Sequence, residues 1–479
     1  MVQKIYLAGE WIKTDKTKDV INPYSQEIVD SVYVADVNYL DKAVNSALKV
    51  YEKTKKLKTY QKSEALKFIA SELSKRKEEL AKILSEESGK PITEALGEID
   101  RGVSTFNQAS EVLNTWTGEI MNLDITPVSG DRQGIIKRFP MGVIFGISPY
   151  NFPLNLVAHK VAPAIATGNP IILKPASSTP LTALKLAEIF DKTNLPKEMF
   201  QVIMSDRETA DKLIDDPRIS MLSFTGSPEV GWDMKNRAGK KKVVLELGGD
   251  AVVYVHRDAD IDFAIDRLLI GGFANAGQIC ISVQRLLVHE EIYDKFINKF
   301  IESVKELKVG NQLDKETKVG PMIDSKNTRR ILDWISEAKD SGAKILLGGN
   351  DLGNNLVEPT LIENPKKNIN ITKKEAFGPI LNIYKVSNSK EAFEKINESD
   401  FGLQTGIFTN NQQVIFDSFE DLDVGGVIVN DIPTFRVDNM PYGGVKDSGF
   451  GREGLKYAME DMTELKVMVI NRNKRYENE

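Results

Sequence analysis

Short apolar runs alternate with helical patterns between residues 140 and 250, and this alternation limits the possible folds strongly. The runs comprise residues 141–147, 170–175, 200–204, 221–226 and 242–247. Each has the length of a buried strand, and helix-length segments separate most of them. Strand, helix, strand at these lengths predicts right-handed crossovers onto a parallel sheet in a Rossmann-like arrangement. Such sheets bind ligands at the carboxyl ends of their strands, so we expect a site at that edge.

Helical patterns fill most of the chain before residue 116. Apolar positions recur at helical spacing over 39–56, 60–87 and 92–115, and Gly89 followed by Pro91 ends the second of these helices. In the Rossmann-like region, the sequence predicts that the helix after residues 170–175 has Thr179 as its N-cap.

The rest of the chain divides into two further parts. Beyond Asp250 the strand and helix alternation resumes and continues to about residue 447, which predicts a second α/β domain. Residues 122–139 read as a β-hairpin around Gly130, and residues 463–470 alternate as a strand. An exposed strand at a chain end favours pairing with another subunit.

Composition and charge exclude several classes of protein. The 479 residues are 41% hydrophobic and 28% charged, which is enough for a core in two or three subdomains. The net charge of −6, without long runs of one sign, argues against a nucleic-acid partner. No apolar stretch approaches the roughly 18 residues of a membrane span, and the first residues lack the apolar centre of a secretory signal. We therefore expect a cytoplasmic protein with no membrane partner.

Cys280 is the only cysteine, so the thiol is expected to be free and reduced. The three histidines have no cysteine partners and do not make a zinc cluster, so no metal is predicted. A buried cysteine usually acts as a small hydrophobe, and a functional thiol is the alternative. Small and polar residues at 274–277 place Cys280 on a turn, and it follows Glu246 by 34 positions. Both residues can thus meet at a domain junction.

Two motifs at strand ends suggest a site, each with an ordinary alternative. Glu246 ends the strand in LELGGD, where apolar neighbours raise a carboxyl pKa toward that of a general base. A glutamate paired with a lysine is the alternative. Gly226 and Gly231, in FTGSPEVG, lie where a strand leads into a helix, a position that favours a phosphate. A plain strand-to-helix turn is the alternative, and for an isolated pair of glycines it is the commoner of the two.

Seven stretches together make the chain resemble the aldehyde dehydrogenase superfamily from about residue 5 to 470. They are PMGVIFGISPYNFP (140–153), LKPAS (173–177), FTGSPEVG (224–231), LELGGD (245–250), GQIC (277–280), EAFGP (375–379) and PYGGVKDSGFGREG (441–454). Their occurrence in the family's order makes the resemblance specific.

The resemblance implies a mechanism with named residues. Cys280, as thiolate, attacks an aldehyde carbon, and the side-chain amide of Asn151 with the Cys280 backbone N–H holds the oxyanion. Hydride leaves to a nicotinamide, and Glu246 activates the water that hydrolyses the thioester to a carboxylic acid. Lys160 matches a family lysine close to this site, and a surface cation on a helix is the alternative. Because relatives that transfer the acyl group to coenzyme A generally lack this base, Glu246 favours hydrolysis.

The resemblance also implies a binding site for NADP or NAD. Lys174 and Ser177 are expected near the adenosine ribose, Gly226 and Ser227 at the pyrophosphate, and Glu375 with Phe377 around the nicotinamide ribose and ring. The remaining cofactor residues implied are Ile147, Ser148, Pro149, Tyr150, Phe224, Leu247 and Gly248. Many NAD-specific relatives have glutamate where this chain has Ser177. Serine removes a charge that would repel a 2′-phosphate, so NADP is expected to be accepted. A preference for NADP over NAD is compatible with this residue.

Substrate identity is less constrained. Arg101 and Arg436 match positions that face an anionic substrate in relatives, and two arginines can grip a carboxylate or phosphate. Both are equally compatible with solvated or structural roles. Ile279 stands where non-phosphorylating glyceraldehyde-3-phosphate dehydrogenases have arginine, and Tyr150 replaces a commoner tryptophan. Lactaldehyde, glyceraldehyde, their phosphates and succinate semialdehyde all remain compatible.

The predicted organisation follows from the same resemblance. Residues 1–121 and 140–248 form the cofactor-binding domain, residues 249–447 the catalytic domain, and residues 122–139 and 448–479 an oligomerisation element of a homodimer or homotetramer. Three alternatives remain: an acylating enzyme that uses coenzyme A, a cysteine-dependent hydrolase or acyltransferase, and a structural, non-catalytic relative. A hydrolase normally activates its thiol with a neighbouring histidine.

Overall fold

The computed structural model describes residues 2–471. Its α-helices are α1 Val37–Thr54, α2 Thr59–Lys75, α3 Lys77–Ser88, α4 Ile92–Thr115, α5 Asn155–Thr167, α6 Leu181–Phe190, α7 Arg207–Asp215, α8 Pro228–Arg237, α9 Ile261–Phe273, α10 Tyr293–Lys305, α11 Ser325–Asp340, α12 Asn370–Lys373, α13 Ser389–Asn397, α14 Gln412–Asp421 and α15 Leu455–Asp461. Short 3-10 helices are Pro127–Ser129, Lys197–Met199 and Ala274–Gly277.

The strands before residue 250 are β1 Val2–Gln3, β2 Ile5–Leu7, β3 Glu10–Ile12, β4 Lys16–Ile21, β5 Ile28–Val34, β6 Glu119–Asn122, β7 Arg132–Pro140, β8 Ile144–Ile147, β9 Ile171–Lys174, β10 Phe200–Val202, β11 Met221–Thr225 and β12 Lys242–Glu246. Those after it are β13 Ala251–Val255, β14 Val283–His289, β15 Lys344–Leu347, β16 Asp351–Gly353, β17 Leu356–Val357, β18 Thr360–Glu363, β19 Ile380–Val386, β20 Phe401–Gly402, β21 Gln404–Phe408, β22 Gly426–Val429, β23 Val445–Lys446, β24 Gly449–Phe450 and β25 Thr463–Asn471.

An eight-stranded sheet contains all five strands predicted between residues 140 and 250. Its order is β24-β12-β11-β8-β9-β10-β2-β3. Strands β8 to β12 pair in parallel, and β2 and β24 add antiparallel strands at the two sides. These five strands are almost entirely buried, as expected of a parallel sheet covered by helices on both faces. The predicted Rossmann-like α/β arrangement is confirmed.

A second sheet carries the chain after Asp250. Its seven strands run in the order β15-β18-β19-β14-β13-β21-β22, and every pair except β15 with β18 is parallel. Helices cover it, and its buried apolar side chains form clusters separate from the core of the first sheet. The second α/β unit is therefore present, with Cys280 on the segment that enters β14.

The predicted hairpin and tail strand form a third, antiparallel sheet. Strand β7 pairs with β6 on one side and with β25 on the other, where the ladder runs from Thr463 opposite Pro140 to Asn471 opposite Arg132. The hairpin connection is longer than a tight turn and contains the 3-10 helix Pro127–Ser129. Residues 472–479 of the predicted oligomerisation element lie outside the described residues.

The start of that same predicted element packs elsewhere. Strand β24 joins β12 at the side of the first sheet, and Leu455 and Met459 of α15 are buried in the core of that sheet. The division of the chain into three domains stays a prediction, but residues 449–462 belong physically with the first sheet. No helix within residues 2–471 is long and apolar enough to cross a membrane.

Two local predictions were wrong. The helix predicted over 60–87 is two helices, because Arg76 leaves helical geometry at φ −102° and ψ 19° and its guanidinium bonds Glu79 and Glu188. Strong helix formers on both sides conceal this break in the sequence.

Thr179 is not the N-cap of α6. Helix α6 begins after Pro180, and its free N–H groups are bound by Glu87, whose carboxylate accepts from Leu181 N at 2.7 Å and from Thr182 N at 3.0 Å. A fully buried carboxylate at a helix N-terminus satisfies orphan donors and also complements the helix dipole. Because this cap comes from a distant part of the chain, local sequence could not predict it.

Candidate active site

Cys280 lies just after a strained turn. Asn275, Ala276 and Gly277 all have positive φ, at 48°, 54° and 68°. A Cβ on Gly277 would lie 2.1 Å from the Gly378 carbonyl oxygen, so this position requires glycine. Left-handed geometry at two non-glycine residues costs about 1–3 kcal/mol each and is found mainly at functional sites. The turn holds the Cys280 backbone in a fixed place.

The LELGGD turn packs directly against Cys280. A Cβ on Gly249 would lie 2.1 Å from the Cys280 carbonyl oxygen. Glu246 ends β12 two residues before this glycine pair, and its charge contributes to the raised pKa of the Cys280 thiol. The structure thus brings together Cys280 and Glu246, which the sequence placed 34 positions apart.

Asn151 lies beside the same turn. Its Nδ2 donates to the Gln278 carbonyl oxygen at 2.9 Å, which leaves a second amide hydrogen for another acceptor. Gln278 is itself held on both sides of its amide, because Nε2 donates to the Asn275 oxygen and Oε1 accepts from Ile323 N. A buried hydrogen-bond network thus fixes Asn151 to Gln278, which lies two residues before Cys280 in the chain.

Tyr442 is a site residue that the sequence analysis did not identify. Its hydroxyl lies 3.0 Å from the Cys280 Sγ, and the guanidinium of Arg436 lies 3.7 Å from the centre of its ring. Burial raises the pKa of the Tyr442 hydroxyl well above its usual value, so it is a neutral donor at physiological pH. The PYGG motif contained this residue, but nothing in the local pattern connected it to a thiol 162 positions away.

Burial raises the pKa of the Cys280 thiol to about 12, although the hydrogen bond from Tyr442 lowers it. At neutral pH Cys280 in this structure is therefore a thiol, whereas the resemblance implies a thiolate. Attack on an aldehyde requires a group that removes the thiol proton, or a local change that lowers the pKa.

We expect alkylation of the protein by iodoacetamide, without substrate, to accelerate about tenfold per pH unit from pH 7 to 10. Cys280 is the only cysteine, so the incorporated label reports this thiol alone, and Cys280→Ser gives the background. Tyr442→Phe should slow labelling at each pH, since it removes a hydrogen bond that favours the thiolate. A labelling rate that levels off below pH 9 would contradict the raised pKa.

Glu246 is not paired with a lysine. Neither carboxylate oxygen has a hydrogen-bond partner among residues 2–471, although the residue is only 3% exposed. Burial raises the pKa of Glu246 well above its usual value, and the negative charge of Glu453 adds to this effect. A buried carboxyl group without a fixed partner, next to a nucleophile, is a suitable general base for a water molecule.

Lys160 is not a surface cation. It is 1% exposed on α5, and its Nζ donates to Thr225 Oγ1 at 2.7 Å, to Ser223 Oγ at 3.1 Å and to Glu453 Oε1 at 3.2 Å. Burial alone would raise the pKa of Glu453, but Lys160 and Arg436 outweigh it and lower that pKa to about 2. Lys160 therefore stabilises the ionised form of Glu453 next to Glu246.

The two arginines predicted near the substrate both pair with buried carboxylates. Arg436 Nη2 donates to Glu453 Oε2 at 3.2 Å, and Arg101 Nη2 donates to Asp438 Oδ1 at 3.0 Å. Asp438 also bonds His159 Nε2 at 2.9 Å. Arg101 keeps 32% of its side chain exposed, whereas Arg436 keeps 6%. Both have a buried Nε without a hydrogen-bond partner among the described residues.

Helix α4 presents one polar stripe to several of these segments. Glu94 accepts from Asn275 N, Glu98 from Leu154 N and Asn155 N, and Thr105 lies 3.3 Å from Asn155. Arg101 belongs to this same face of α4, because it follows Glu98 by three positions and precedes Thr105 by four. The spacing of the stripe was visible in the sequence, but its contacts with distant turns were not.

The predicted cofactor residues line the carboxyl edge of the first sheet. Ile147 at the end of β8 is opposite Lys174 of β9 and Phe224 of β11, and Ser148 N bonds the Lys174 oxygen at 3.2 Å. Tyr150 contacts Phe377 ring to edge with centroids 5.9 Å apart. Pro149 and Leu247 follow the same strand ends, and Ser177 is half-buried in the loop after β9.

The residues at this edge fit a dinucleotide. The first turn of α8 begins at Ser227 with no side chain bonded to its N–H groups, which suits a pyrophosphate. Gly248 lets Glu375 approach, because a Cβ there would lie 2.5 Å from Glu375 Oε2, and Glu375 Oε1 accepts from Gly249 N at 3.0 Å. Burial lowers the pKa of Lys174, and the neighbouring Lys18 lowers it further, so two cations lie near the expected ribose position.

Comparison with known proteins agrees with this geometry. Residues 11–468 match the model of the aldehyde dehydrogenase family. The chain belongs to the aldehyde dehydrogenase family. It is 42% identical to 3-sulfolactaldehyde dehydrogenase of Priestia aryabhattai over 468 residues, which cover 98% of each protein.

Two solved aldehyde dehydrogenase structures are also similar along nearly the whole chain. Aldehyde dehydrogenase 21 of Physcomitrella patens, in complex with the reaction product succinate, superimposes with a TM-score of 0.97 at 46% identity over 99% of both chains. Glyceraldehyde-3-phosphate dehydrogenase GapN of Methanocaldococcus jannaschii, complexed with NADP, gives a TM-score of 0.92 at 40% identity over 95% of this chain and all of that one. The protein is thus an aldehyde dehydrogenase, an oxidoreductase that acts on aldehydes.

Proposed function

We propose that this aldehyde dehydrogenase oxidises a small anionic aldehyde to its carboxylic acid through a thioester on Cys280. The observation that carries the proposal is the placement of Cys280 Sγ, 3.0 Å from Tyr442 and next to the partnerless carboxyl group of Glu246. A nucleophile and a base that share one cleft are what covalent catalysis followed by hydrolysis requires.

In the first half of the reaction, the Cys280 thiol gives up its proton to solvent water and the sulfur attacks the aldehyde carbon. The second amide hydrogen of Asn151 and the Cys280 N–H hold the oxyanion of the thiohemiacetal. NADP or NAD, held by Gly226, Ser227 and Glu375, would take the hydride from this carbon, which would leave an acyl thioester on Cys280. The strained turn at residues 275–277 keeps the backbone donor fixed throughout.

In the second half, a water molecule attacks the thioester carbon and Glu246 removes its proton. The raised pKa of Glu246 makes its ionised form a stronger base than an ordinary carboxylate. The tetrahedral intermediate then collapses, the Cys280 sulfur leaves, and the acid is released. Lys160 and Arg436 keep Glu453 ionised beside Glu246, which helps to maintain that raised pKa.

Three observations support an anionic substrate. Arg101 and Arg436 match positions that face an anionic substrate in relatives, and each has a buried Nε with no partner in the described part of the chain. The similar lactaldehyde dehydrogenases are named for an uncharged aldehyde, but of the proteins compared above one is named for a sulfonated aldehyde, one for a phosphorylated aldehyde, and one holds succinate as product. All three ligands carry an acidic group away from the reacting carbon. Ile279 stands where non-phosphorylating glyceraldehyde-3-phosphate dehydrogenases have a phosphate-binding arginine. The missing arginine favours a substrate with a carboxylate or sulfonate over one with a phosphate.

Arg101→Met should raise KM for succinate semialdehyde about tenfold or more, because it removes a charge-assisted hydrogen bond and keeps the side-chain length. KM for propionaldehyde, which has no acidic group, should stay within about twofold. Arg329→Met, at an exposed arginine of α11, serves as the control. Steady-state kinetics with both aldehydes measures the effect, and equal losses for the two would refute the anionic-substrate proposal.

We further propose that the enzyme accepts NADP and prefers it to NAD. Ser177 places no carboxylate near the expected 2′-phosphate, and Lys174 and Lys18 supply positive charge in the same region. The similar GapN structure contains NADP. Ser177→Glu should therefore lower kcat/KM for NADP by at least about tenfold and leave or improve that for NAD. A wild-type enzyme with a strong NAD preference would overturn this proposal.

The alternative functions fit the site less well. An acylating enzyme has no use for the partnerless carboxyl group of Glu246. A cysteine hydrolase needs a histidine at the thiol, but His159 bonds Asp438 and His256 bonds Asp258, and the hydrogen bond described for the thiol is with Tyr442. A non-catalytic relative would not need to keep Cys280, Glu246 and Asn151 together.

The exposed third sheet supports the proposed homodimer or homotetramer. Strand β25 exposes apolar side chains on both faces, and the hairpin adds Ile120, Ile125 and Val128. Leu465, Val467, Met468 and Val469 are each more than half exposed. Such a surface on a soluble enzyme is typical of a subunit contact.

A further inference from the structure

A second cavity, of about 450 Å³, lies on the second sheet. Its floor is formed by Arg285 and Leu287 of β14 and Tyr384 of β19, with Asp250 just before β13. The segment with Lys373 and Lys374 borders one side, and α13 with Lys395 borders another. None of the residues assigned above to catalysis, cofactor or substrate lines it, so it is distinct from the Cys280 cleft.

The cavity is positively charged although the chain as a whole carries −6. Five cationic and three acidic side chains line it. Arg285 is fixed at its base, with Nε 2.8 Å from Asp250 Oδ2 and Nη1 donating to the Lys395 carbonyl oxygen at 2.7 Å. Its side chain is only 10% exposed. A buried guanidinium with several lysines around it attracts anions.

Besides Arg285 Nε, three buried polar groups in this cavity have no well-formed hydrogen bond among residues 2–471, although two of them, Thr372 and Tyr384, lie close enough to influence one another. They are Asp250 Oδ1, Thr372 Oγ1 and the Tyr384 hydroxyl. Asp250 keeps only 6% of its side chain exposed, and a buried polar atom without a partner is costly unless a ligand or water satisfies it. Asp250 can accept from a hydroxyl group, Tyr384 can donate to one, and Thr372 can do either.

We propose that this cavity binds a small hydroxylated anion. Its phosphate or carboxylate group contacts the lysines, and its hydroxyl groups exchange hydrogen bonds with Asp250, Thr372 and Tyr384. The volume is within the range of small-molecule sites in proteins. The cavity adjoins the segment that carries Glu375, because Gln284, next to Arg285 on β14, bonds both Lys374 O and Ala376 N at 2.8 Å.

Calorimetric titration of the NADP-saturated enzyme tests the site without relying on the identity of the aldehyde. The probes are glycerol 3-phosphate, glycerate and, as an anion without carbon-bound hydroxyl groups, inorganic phosphate. We expect one glycerol 3-phosphate or glycerate per subunit, bound at least about tenfold more tightly than inorganic phosphate. Which of the first two binds better identifies the anionic group.

Two lining variants and two control variants locate the binding. Lys395→Met should weaken binding about tenfold, and Tyr384→Phe about threefold or more, because each removes one contact and little volume. Lys390→Met, on the same helix α13 but outside the cavity, and Arg101→Met, in the Cys280 cleft, should leave affinity unchanged. The proposal is overturned if no probe binds, if both lining variants bind as wild type does, or if Arg101→Met abolishes binding.

Discussion

Cys280→Ser is expected to lower kcat by about 10⁴-fold or more, because a serine hydroxyl in this apolar cleft, without a neighbouring histidine, is a far weaker nucleophile than a thiol. Cys280→Ala should lose at least as much. Both substitutions remove little volume, and the residue is half-buried, so the fold should persist. The measurement is the rate of formation of reduced cofactor with succinate semialdehyde.

NADP binding provides the control for these two variants. Cys280 meets Gly249 at the sheet edge through its backbone carbonyl, which neither substitution changes, so cofactor affinity measured by fluorescence titration should stay within about threefold of wild type. Either variant turning over at a tenth of the wild-type rate or faster would mean that Cys280 is not the nucleophile.

Glu246→Gln is expected to lower steady-state kcat by about 10²- to 10³-fold, because a neutral amide cannot remove a proton from water. If the amide still permits the first half of the reaction, rapid mixing should give a burst of reduced cofactor before a slow steady state. Glu420→Gln, an exposed glutamate on α14, should behave as wild type. A proportional loss of burst rate and steady-state rate would place the role of Glu246 in the first half instead.

The pH dependence of the wild-type rate follows from the same groups. Glu246 acts as a base only when ionised, and burial raises its pKa, so activity should rise with pH as its proton leaves. Because the Cys280 thiol has a pKa of about 12, its ionisation adds a further rise in activity as the pH increases. Glu246→Gln should remove the lower-pH step and keep the thiol's dependence.

The sequence predicted the two parallel sheets because their strands are buried on both faces. Runs such as residues 170–175 and 221–226 are short and rich in apolar residues, and the segments between such runs are long enough for a helix. The tail strand was predictable from its alternation. The addition of β24 beside β12 in the first sheet could not be predicted, because it depends on contacts between segments about 200 residues apart.

Residues of the candidate site could be predicted from the sequence where their residue type is unusual for the chain or for its surroundings. A single cysteine on a glycine-containing turn and a glutamate embedded among leucines both stood out from their surroundings. The sequence could not show which groups lie near these two residues. The structure places Tyr442 at the thiol and Glu453 near Glu246. It also buries Lys160, which donates to Thr225 of β11. These are tertiary contacts between common residue types, and no local pattern marks them.

Buried carboxylates were the most consistent omission. Glu87 caps α6, Glu98 binds the backbone before α5, and Glu94 binds the turn before Cys280. Each looked like an ordinary charged position on a helix. Burial raises the pKa of Glu87 to about 8 and that of Glu94 to about 7, and the donors that these groups bind come from elsewhere in the chain.

The most direct test of the covalent mechanism is to trap the intermediate. Glu246→Gln, mixed with NADP and succinate semialdehyde and quenched in acid during the slow phase, should carry one acyl group per subunit on the peptide that contains Cys280, as peptide mass spectrometry would show. Reduced cofactor formed in an amount equal to the enzyme, with no acyl group on that peptide, would contradict the account.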